Sequence, residues 1–428
     1  MSSKLLSSKD WKNRKFHEIA LVKMGQSPPS ATYNNQGLGL PFYQGNKDFG
    51  LKYPNKTIFC SGPKRIAEEG EILFSVRAPI GDINIAIEKS CIGRGLSSIS
   101  MRNGNNDFLY YLLKFNSNKI KSFFETDGTV FGCLTKDDLN NFDILVPENP
   151  IEQKAIAKVL SDLDDKIELN NEMNKTLEEI GQALFKRWFI DFEFPDENGN
   201  PYRSSGGEMV YSKDLGKEIP KGWKFGKLRD YVILVKGVSY KSEELSKSEN
   251  ALVTLKSIDR EGNYNKDGLK EYVGKYKDEQ ILFSGDIVVA HTDLTQKADV
   301  LGKPAIIRED SNYEKLIASL DLAIVRPKSE HITRPFIYHL LKTNTFHNHA
   351  IGYANGTTVL HLNQKAIPDF EFVVPSFTVT QTFGEIINKI TLKLQDNELQ
   401  SEYLAQIRDS LLPKLMSGEI RVPLEASQ

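Results

Sequence analysis

Between residues 151 and 192, apolar side chains fall at Ile156, Leu160, Leu163, Ile167, Leu177, Ile180, Leu184 and Trp188. Steps of three and four mark one stripe of a helix. Asn170 and Asn174 interrupt the stripe. Near the C-terminus the same stripe reads Phe383, Ile387, Ile390, Leu394, Leu404, Ile407, Leu411 and Leu415, with Asn397 and Ser401 as its interruptions. Every position maps onto its partner at one offset of 227 residues, polar gaps included. Two unrelated amphipathic helices would not share their interruptions. The pattern predicts two long helices of one design, each a coiled-coil strand. The expected seam is Ile156, Leu160, Leu163, Ile167, Asn170, Asn174 and Leu177 on one helix. On the other it is Phe383, Ile387, Ile390, Leu394, Asn397, Ser401 and Leu404.

The repetition extends upstream of each helix. At an offset of 228, Gly128 meets Gly356, Thr129 meets Thr357, Leu134 meets Leu362, Phe142 meets Phe370 and Pro147 meets Pro375. YYLLKFN at Tyr110 answers YHLLKTN at Tyr338, and GEILFS at Gly70 answers GDIVVA at Gly285. Trp11 with Lys23, Gly25 and Ser27 answers Trp223 with Val235, Gly237 and Ser239. One unit is therefore used twice: a globular domain of about 150 residues, then a long helix. The expected divisions are 1–150, 151–192, a linker at 193–222, 223–375 and 376–428. Each globular domain reads as mixed α/β. Expected strands are 57–60, 71–76, 83–87 and 97–101 in the first copy and 253–256, 286–290, 304–308 and 322–325 in the second. Expected helices are 107–116 and 334–343. Thr135 and Asn363 read as N-caps of short helical turns. The linker, rich in Gly, Pro, Ser and charge, reads as loop.

Composition adds little until it is divided along the chain. The 428 residues carry a net charge of −2, with 26% charged and 39% hydrophobic side chains. Residues 1–147 hold 19 basic and 14 acidic side chains, and 201–375 hold 25 and 23. Residues 151–200 hold 6 and 12, and 376–428 hold 5 and 7. Positive charge lies in the globular domains and negative charge on the helices; if the chain touches DNA, it does so with the former, and the acidic helices would be kept for protein partners. No apolar run approaches a membrane span, and MSSKLLSSKDWK lacks a signal-peptide core. Cys60, Cys91 and Cys133 form no CxxC pair and read as reduced thiols in a cytoplasmic protein.

The chemistry-bearing motifs are missing. There is no GxGxxG after a strand, no GxxxxGK[ST] loop and no HExxH or Cys/His cluster. His347 and His349 read as a solvated pair. No [ND]PP[YF] tetrapeptide of adenine methyltransferases occurs, and the acidic runs Glu68–Glu69–Glu71 and Asp137–Asp138 read as solvated faces and caps. No catalytic residue and no metal ligand is expected.

Several stretches then resemble the specificity subunit of type I restriction-modification systems. VPENPIEQKAIAKVLSDLDDKIELNNEMNKTLEEIGQALFKRWFIDFEFP is similar to that family's central conserved region. FPDENGNPYRSSGGEMV with EIPKGW is similar to its linker, and LLPKLMSGEIRV to its C-terminal block. With the two repeated strands, the resemblance covers nearly the whole chain. It implies an α+β protein: two mixed α/β target-recognition domains in a pseudo-twofold repeat, separated by two long helices that pair as an antiparallel coiled coil. Asn170 would then face Ser401, or Asn174 face Asn397. It also implies a subunit without chemistry of its own, each domain reading half of a bipartite, asymmetric site in double-stranded DNA. The partners implied are two modification (methyltransferase) subunits that use S-adenosylmethionine, and restriction subunits that use ATP and Mg. None of these cofactors is expected on this chain, and no membrane contact.

Candidate base-reading residues are polar side chains in loops beside glycine, because Arg and Lys pair with guanine and Gln or Asn with adenine. In the first domain these are Gln44, Asn46, Lys47, Arg77, Arg94 and Thr129. In the second they are Lys256, Arg260, His291, Thr292, Lys297, Thr357 and His361. Arg77 and the His291–Thr292 pair both follow the repeated strand at the same relative place. The alternative reading is a stand-alone DNA-binding regulator with a coiled-coil scaffold, which leaves the acidic partner helices unexplained.

Overall fold

The computed structural model describes residues 11–125, 133–260, 262–293, 298–308, 310–356 and 359–423. It divides into two compact units, residues 1–171 with 398–428, and residues 172–397. Both divisions fall inside the long helices, Pro150–Phe185 and Phe377–Met416. Each unit therefore holds one globular domain and half of each helix.

In the first unit a four-stranded antiparallel sheet runs in the order Ala20–Met24, Leu96–Met101, Ile72–Ser75, Ile83–Ile85. In the second unit the sheet Val232–Lys236, Leu322–Pro327, Ile287–Ala290, Pro304–Ile306 has the same order and sense. The repeated strands are buried along their whole length. Their period of two explains how. Ile72 and Phe74 face the core beneath helix Asn106–Glu125, while Leu73 faces a second core with Tyr43 and Leu96. Ile287 and Val289 face one core of their unit, and Val288 and Ala290 the other. Beyond this sheet, Leu40–Tyr43 pairs parallel with Ser90–Ile92, and Asn250–Val253 pairs parallel with Lys315–Ala318. Cys60 and Cys91 are free thiols buried in one small core, where burial pushes the Cys91 thiol up to about 12.

Each domain closes against its helices by the same device. Trp11–Lys15 pairs with Asp143–Pro147, and Lys224–Lys227 pairs with Glu371–Val374. These closing strands end at the two proline positions the repeat aligns, since proline supplies no further ladder donor. Thr135 caps helix Lys136–Asn141 in a capping box with Asp138. Asn363 opens a turn rather than a regular helix: its side chain accepts the Lys365 N–H and its carbonyl the Ala366 N–H, each at 2.9 Å. The strand expected at 253–256 ends at Val253, where Thr254 caps a 3-10 turn, Leu255–Ser257. The linker is not loop throughout: Met209–Ser212 and Lys217–Pro220 form a hairpin.

The helices pair antiparallel within each unit. In the first, Asn170 Nδ2 donates to Ser401 Oγ at 3.2 Å and Arg408 donates to Asp164 at 2.6 Å. In the second, Asn397 Nδ2 donates to Asn174 Oδ1 at 2.8 Å, and Phe185 meets Phe383 with ring centroids 5.8 Å apart. Both polar contacts expected of the interrupted stripe are present. Ile156, Leu160, Ile167, Asn170, Phe383, Ile387, Leu394 and Asn397 are buried, and Leu163, Asn174, Leu177, Ile390, Ser401 and Leu404 are partly so. The stripe departs from its expected course at one repeated place. Ile180 and Ile407 are 49% and 47% exposed. The alternating steps of four and three continue from Leu177 and Leu404 to the next residues, Gly181 and Arg408, which keep the seven-residue repeat and take the inward positions.

Those two positions show how the copies diverged. In the first unit Arg408 and Tyr111 both donate to the buried Asp164 carboxylate at 2.6 Å. The offsets of 227 and 228 place Gly181 at Arg408, Thr391 at Asp164 and His339 at Tyr111. There the His339 ring fills the space over Gly181, where a Cβ would lie 2.9 Å from its Cε1, and Gln182 Oε1 meets His339 Nδ1 at 2.9 Å. An ion pair in one junction is a packed imidazole in the other.

Candidate nucleic-acid interface

The first unit gathers Gln44, Lys47 and Arg94, three of the expected base readers, around one concavity with Ser27 and Tyr33. Backbone geometry builds it. The parallel strands Leu40–Tyr43 and Ser90–Ile92 end side by side, and the chain turns at Gly93–Arg94–Gly95. Gly93 N–H donates to Tyr43 O at 2.9 Å, and Gly95 N–H to Gln44 O at 3.0 Å. A Cβ on Gly93 would lie 2.6 Å from Gln44 Oε1, and one on Gly95 2.5 Å from Gln44 O. The two glycines let the turn lie directly on Gln44 and leave Arg94 exposed at the tip. Gln44 Nε2 donates to Ser27 Oγ at 2.8 Å, and Ser27 Oγ accepts the Arg94 N–H at 3.2 Å. Gln44 is thus positioned by Ser27, while the Lys47 ammonium is exposed and lies 4.0 Å from Asp48. The Tyr33 ring packs on Phe42, with centroids 4.6 Å apart, and burial raises its phenol.

Other expected residues go elsewhere. Asn46 Nδ2 donates to Asp82 at 2.6 Å, in a separate hollow with Lys121. Arg77 is exposed where the chain bridges to Cys133, and its carbonyl accepts from Ser75 Oγ at 2.9 Å. Thr129 lies outside the described residues.

In the second unit His291, Thr292 and His361 come together. Thr292 pairs with His361 across two short strands, and Leu362 N–H donates to His291 O at 2.8 Å. This is the Arg77–Cys133 bridge in its second form, since offsets of 215 and 228 relate the two pairs. Thr292 is buried and donates to Asp321 at 3.0 Å, so it orients the strand end. His361 is exposed. Burial, then the charges of Lys236 and His361, push the His291 imidazole down to about 4, so it is neutral at pH 7. Lys256 and Arg260 are exposed on and after the turn Leu255–Ser257. Lys297 and Thr357 lie outside the described residues. His349 is not a solvated partner of His347: its Nε2 meets the Ala366 carbonyl at 2.8 Å.

A search for polar side chains overlooks Leu320. It stands at the tip matching Arg94 and is 49% exposed. Among the described residues no His/Cys/Asp/Glu group could hold a metal ion, and no helix is long and apolar enough to cross a membrane.

Comparison with known proteins places these features in context. The family described as the type I restriction modification DNA specificity domain matches residues 8–179 and 220–405. The type I restriction enzyme MjaIX specificity subunit of Methanocaldococcus jannaschii is 31% identical, over 97% of this chain and 94% of that one. The HindI specificity subunit of Haemophilus influenzae is 24% identical, over 83% of this chain and 88% of that one. A crystal structure of the type I restriction-modification system S subunit from M. genitalium shares the fold, with a TM-score of 0.55 and 19% identity, over 96% of this chain and 97% of that one.

Proposed function

We propose how this chain works from the premise that it belongs to the type I restriction-modification DNA specificity family. It is a DNA-recognition subunit without catalytic chemistry, and its globular domains are its two target-recognition domains. Family membership leaves no support for the stand-alone regulator. DNA and the other subunits of a restriction-modification complex are its partners.

The observation that carries the finer reading is the concavity of Gln44, Lys47 and Arg94, matched in backbone but not in side chains by the second domain. Lysines bind phosphates and set the register. The side chains at the strand ends enter the major groove and select bases. One domain covers too few base pairs to single out a site in a genome. Joining two domains makes the second encounter intramolecular and multiplies the discrimination. Because the exposed side chains of the two copies differ, the half-sites differ and the whole target is asymmetric. A helix of 36 residues rises about 54 Å, more than one turn of DNA, about 35 Å. The helix pair thus serves as the spacer between half-sites.

The acidic outer faces of the helices dock two modification subunits, which bring S-adenosylmethionine. Restriction subunits, with ATP and Mg, join that assembly in the cytoplasm. The test is reconstitution. The purified chain alone, given S-adenosylmethionine or ATP, is expected neither to methylate nor to cut DNA. Co-expressed with the modification subunit of its own system, it is expected to co-purify and to confer sequence-specific adenine methylation. Turnover by the isolated chain, or methylation by the modification subunit without it, would contradict the proposal.

A further inference from the structure

Four backbone hydrogen bonds hold the turn at Arg94, and four equivalent bonds hold the turn at Leu320. Gly93 N–H donates to Tyr43 O at 2.9 Å, as Ser319 N–H donates to Val253 O at 2.9 Å. Leu96 N–H closes on Gly93 O at 3.1 Å, as Leu322 N–H closes on Ser319 O at 2.9 Å. Gly25 N–H reaches Leu96 O at 2.9 Å, as Gly237 N–H reaches Leu322 O at 3.3 Å. Val76 N–H reaches Gly95 O at 3.0 Å, as His291 N–H reaches Asp321 O at 2.7 Å. In both copies the tip alone is exposed, and the residues flanking it are buried except Asp321, which is partly so. The same four hydrogen bonds are made in both copies, while the tip changes from guanidinium to isobutyl.

Many apolar side chains of this chain are singly exposed, and exposure alone marks none of them; Leu320 is marked by its place on the turn that matches the turn of Arg94. Arginine at the matching place offers a planar fork that suits guanine O6 and N7, and a leucine offers an apolar contact for the thymine 5-methyl group. We propose that Arg94 and Leu320 are one specificity-determining position in two states: Arg94 selects a guanine in the first half-site, and Leu320 selects a thymine in the second. Gln44 and Lys47 flank Arg94 in its concavity, and Lys256 stands on the 3-10 turn that follows the parallel strand in the second domain. Those lysines supply phosphate contacts that do not depend on the base. This assignment rests on the reading of both domains as DNA-binding.

The experiment selects bound DNA from a library with randomised sequence and spacer, using the chain assembled with its modification subunits. Wild type is compared with Arg94→Leu, Arg94→Lys and Leu320→Arg. Both tips are exposed, so unchanged thermal melting establishes that the variants fold. Arg94→Leu is expected to cut the preference for guanine at one position of the first half-site by about ten- to a hundredfold. Arg94→Lys keeps the charge and loses the fork, so it should weaken the same preference while retaining affinity. Leu320→Arg is expected to replace thymine by guanine at one position of the second half-site and to leave the first untouched. If Arg94→Leu weakens binding uniformly and lowers the salt dependence by about one ion without altering any base, Arg94 is a phosphate contact and the assignment is overturned. A bipartite preference unaltered by every swap overturns it too. A wild-type complex with no bipartite preference would remove the reading beneath it, and the assignment with it.

Discussion

Replacing Arg408 by leucine removes the cation that neutralises Asp164. Both side chains are nearly closed to solvent, at 11% and 5% exposure, and the Nη1–Oδ1 distance is 2.6 Å. Tyr111 supplies the other donor to the carboxylate, also at 2.6 Å. Arg408 is held further by Asp409 at 2.8 Å. Breaking a buried pair from one side leaves an uncompensated charge and costs about 3–5 kcal/mol. An exposed pair on the same helix provides the contrast: Lys158 and Asp162 meet at 2.9 Å in solvent, and Asp162→Ala should cost about 0.3–0.5 kcal/mol. Removing the whole group tests the cause. In the triple variant Asp164→Leu, Tyr111→Phe, Arg408→Leu the carboxylate goes together with its cation and its hydroxyl, and stability should return to within about 1 kcal/mol of wild type, since apolar replacement of a buried pair is often neutral. A chain of several units does not unfold in one step. Native-state hydrogen exchange at amides of residues 156–164 and 404–412 reports the local free energy instead. If Arg408→Leu costs no more than Asp162→Ala, or the triple variant is as unstable as the single one, the junction does not depend on this ion pair.

Gly25 and Gly237 hold the matching crossings of the two domains. An added Cβ would lie 2.1 Å from Gly93 O and 2.0 Å from Ser319 O respectively, and backbone cannot yield as a side chain can. Gly25→Ala and Gly237→Ala should each cost about 1–3 kcal/mol or more, read as lower melting temperatures, with loss of one half-site at a time in DNA selection. The His339 imidazole is pushed down to about 3, first by burial and then by Lys342. The unfolded chain takes up that proton near pH 6.5 and the folded one does not, so stability is fully present above pH 6.5 and is lost as pH falls toward 3. His339→Gln should flatten that slope in pH-dependent melts; an unchanged slope would exclude His339 as its source. Replacing Asn174 and Asn397 together by leucine should raise stability, and broaden the selected spacer lengths if the polar pair fixes the register.

The long helices were legible because their burial repeats locally, every three or four residues. Their apolar stripe was legible except at Ile180 and Ile407, because the seven-residue repeat passes instead through Gly181 and Arg408, whose side chains are not apolar. The repeated strands were legible from GEILFS and GDIVVA, although their complete burial, divided between two cores, is a property of the packed sheet. The hairpin within 209–220 carries too little alternation to stand out from its turn-rich surroundings. The candidate interface was legible only in part. Gln44, Lys47 and Arg94 do converge, and His291, Thr292 and His361 do meet. Asn46, however, belongs to Asp82, a partner 36 residues away that no local pattern reveals. Leu320 escaped because polarity was the criterion, and only the matching hydrogen bonds of the two turns bring it forward.

Two diverged domains joined by paired helices should read two different half-sites at a fixed separation. Methylation mapped across a host genome by long-read sequencing, with and without this chain beside its modification subunit, tests it most directly. The expected result is one motif in two unlike specific parts, separated by a constant stretch in which every base is tolerated, and its disappearance when the chain is withheld. A continuous motif, two identical half-sites, or the same motif without this chain would contradict it.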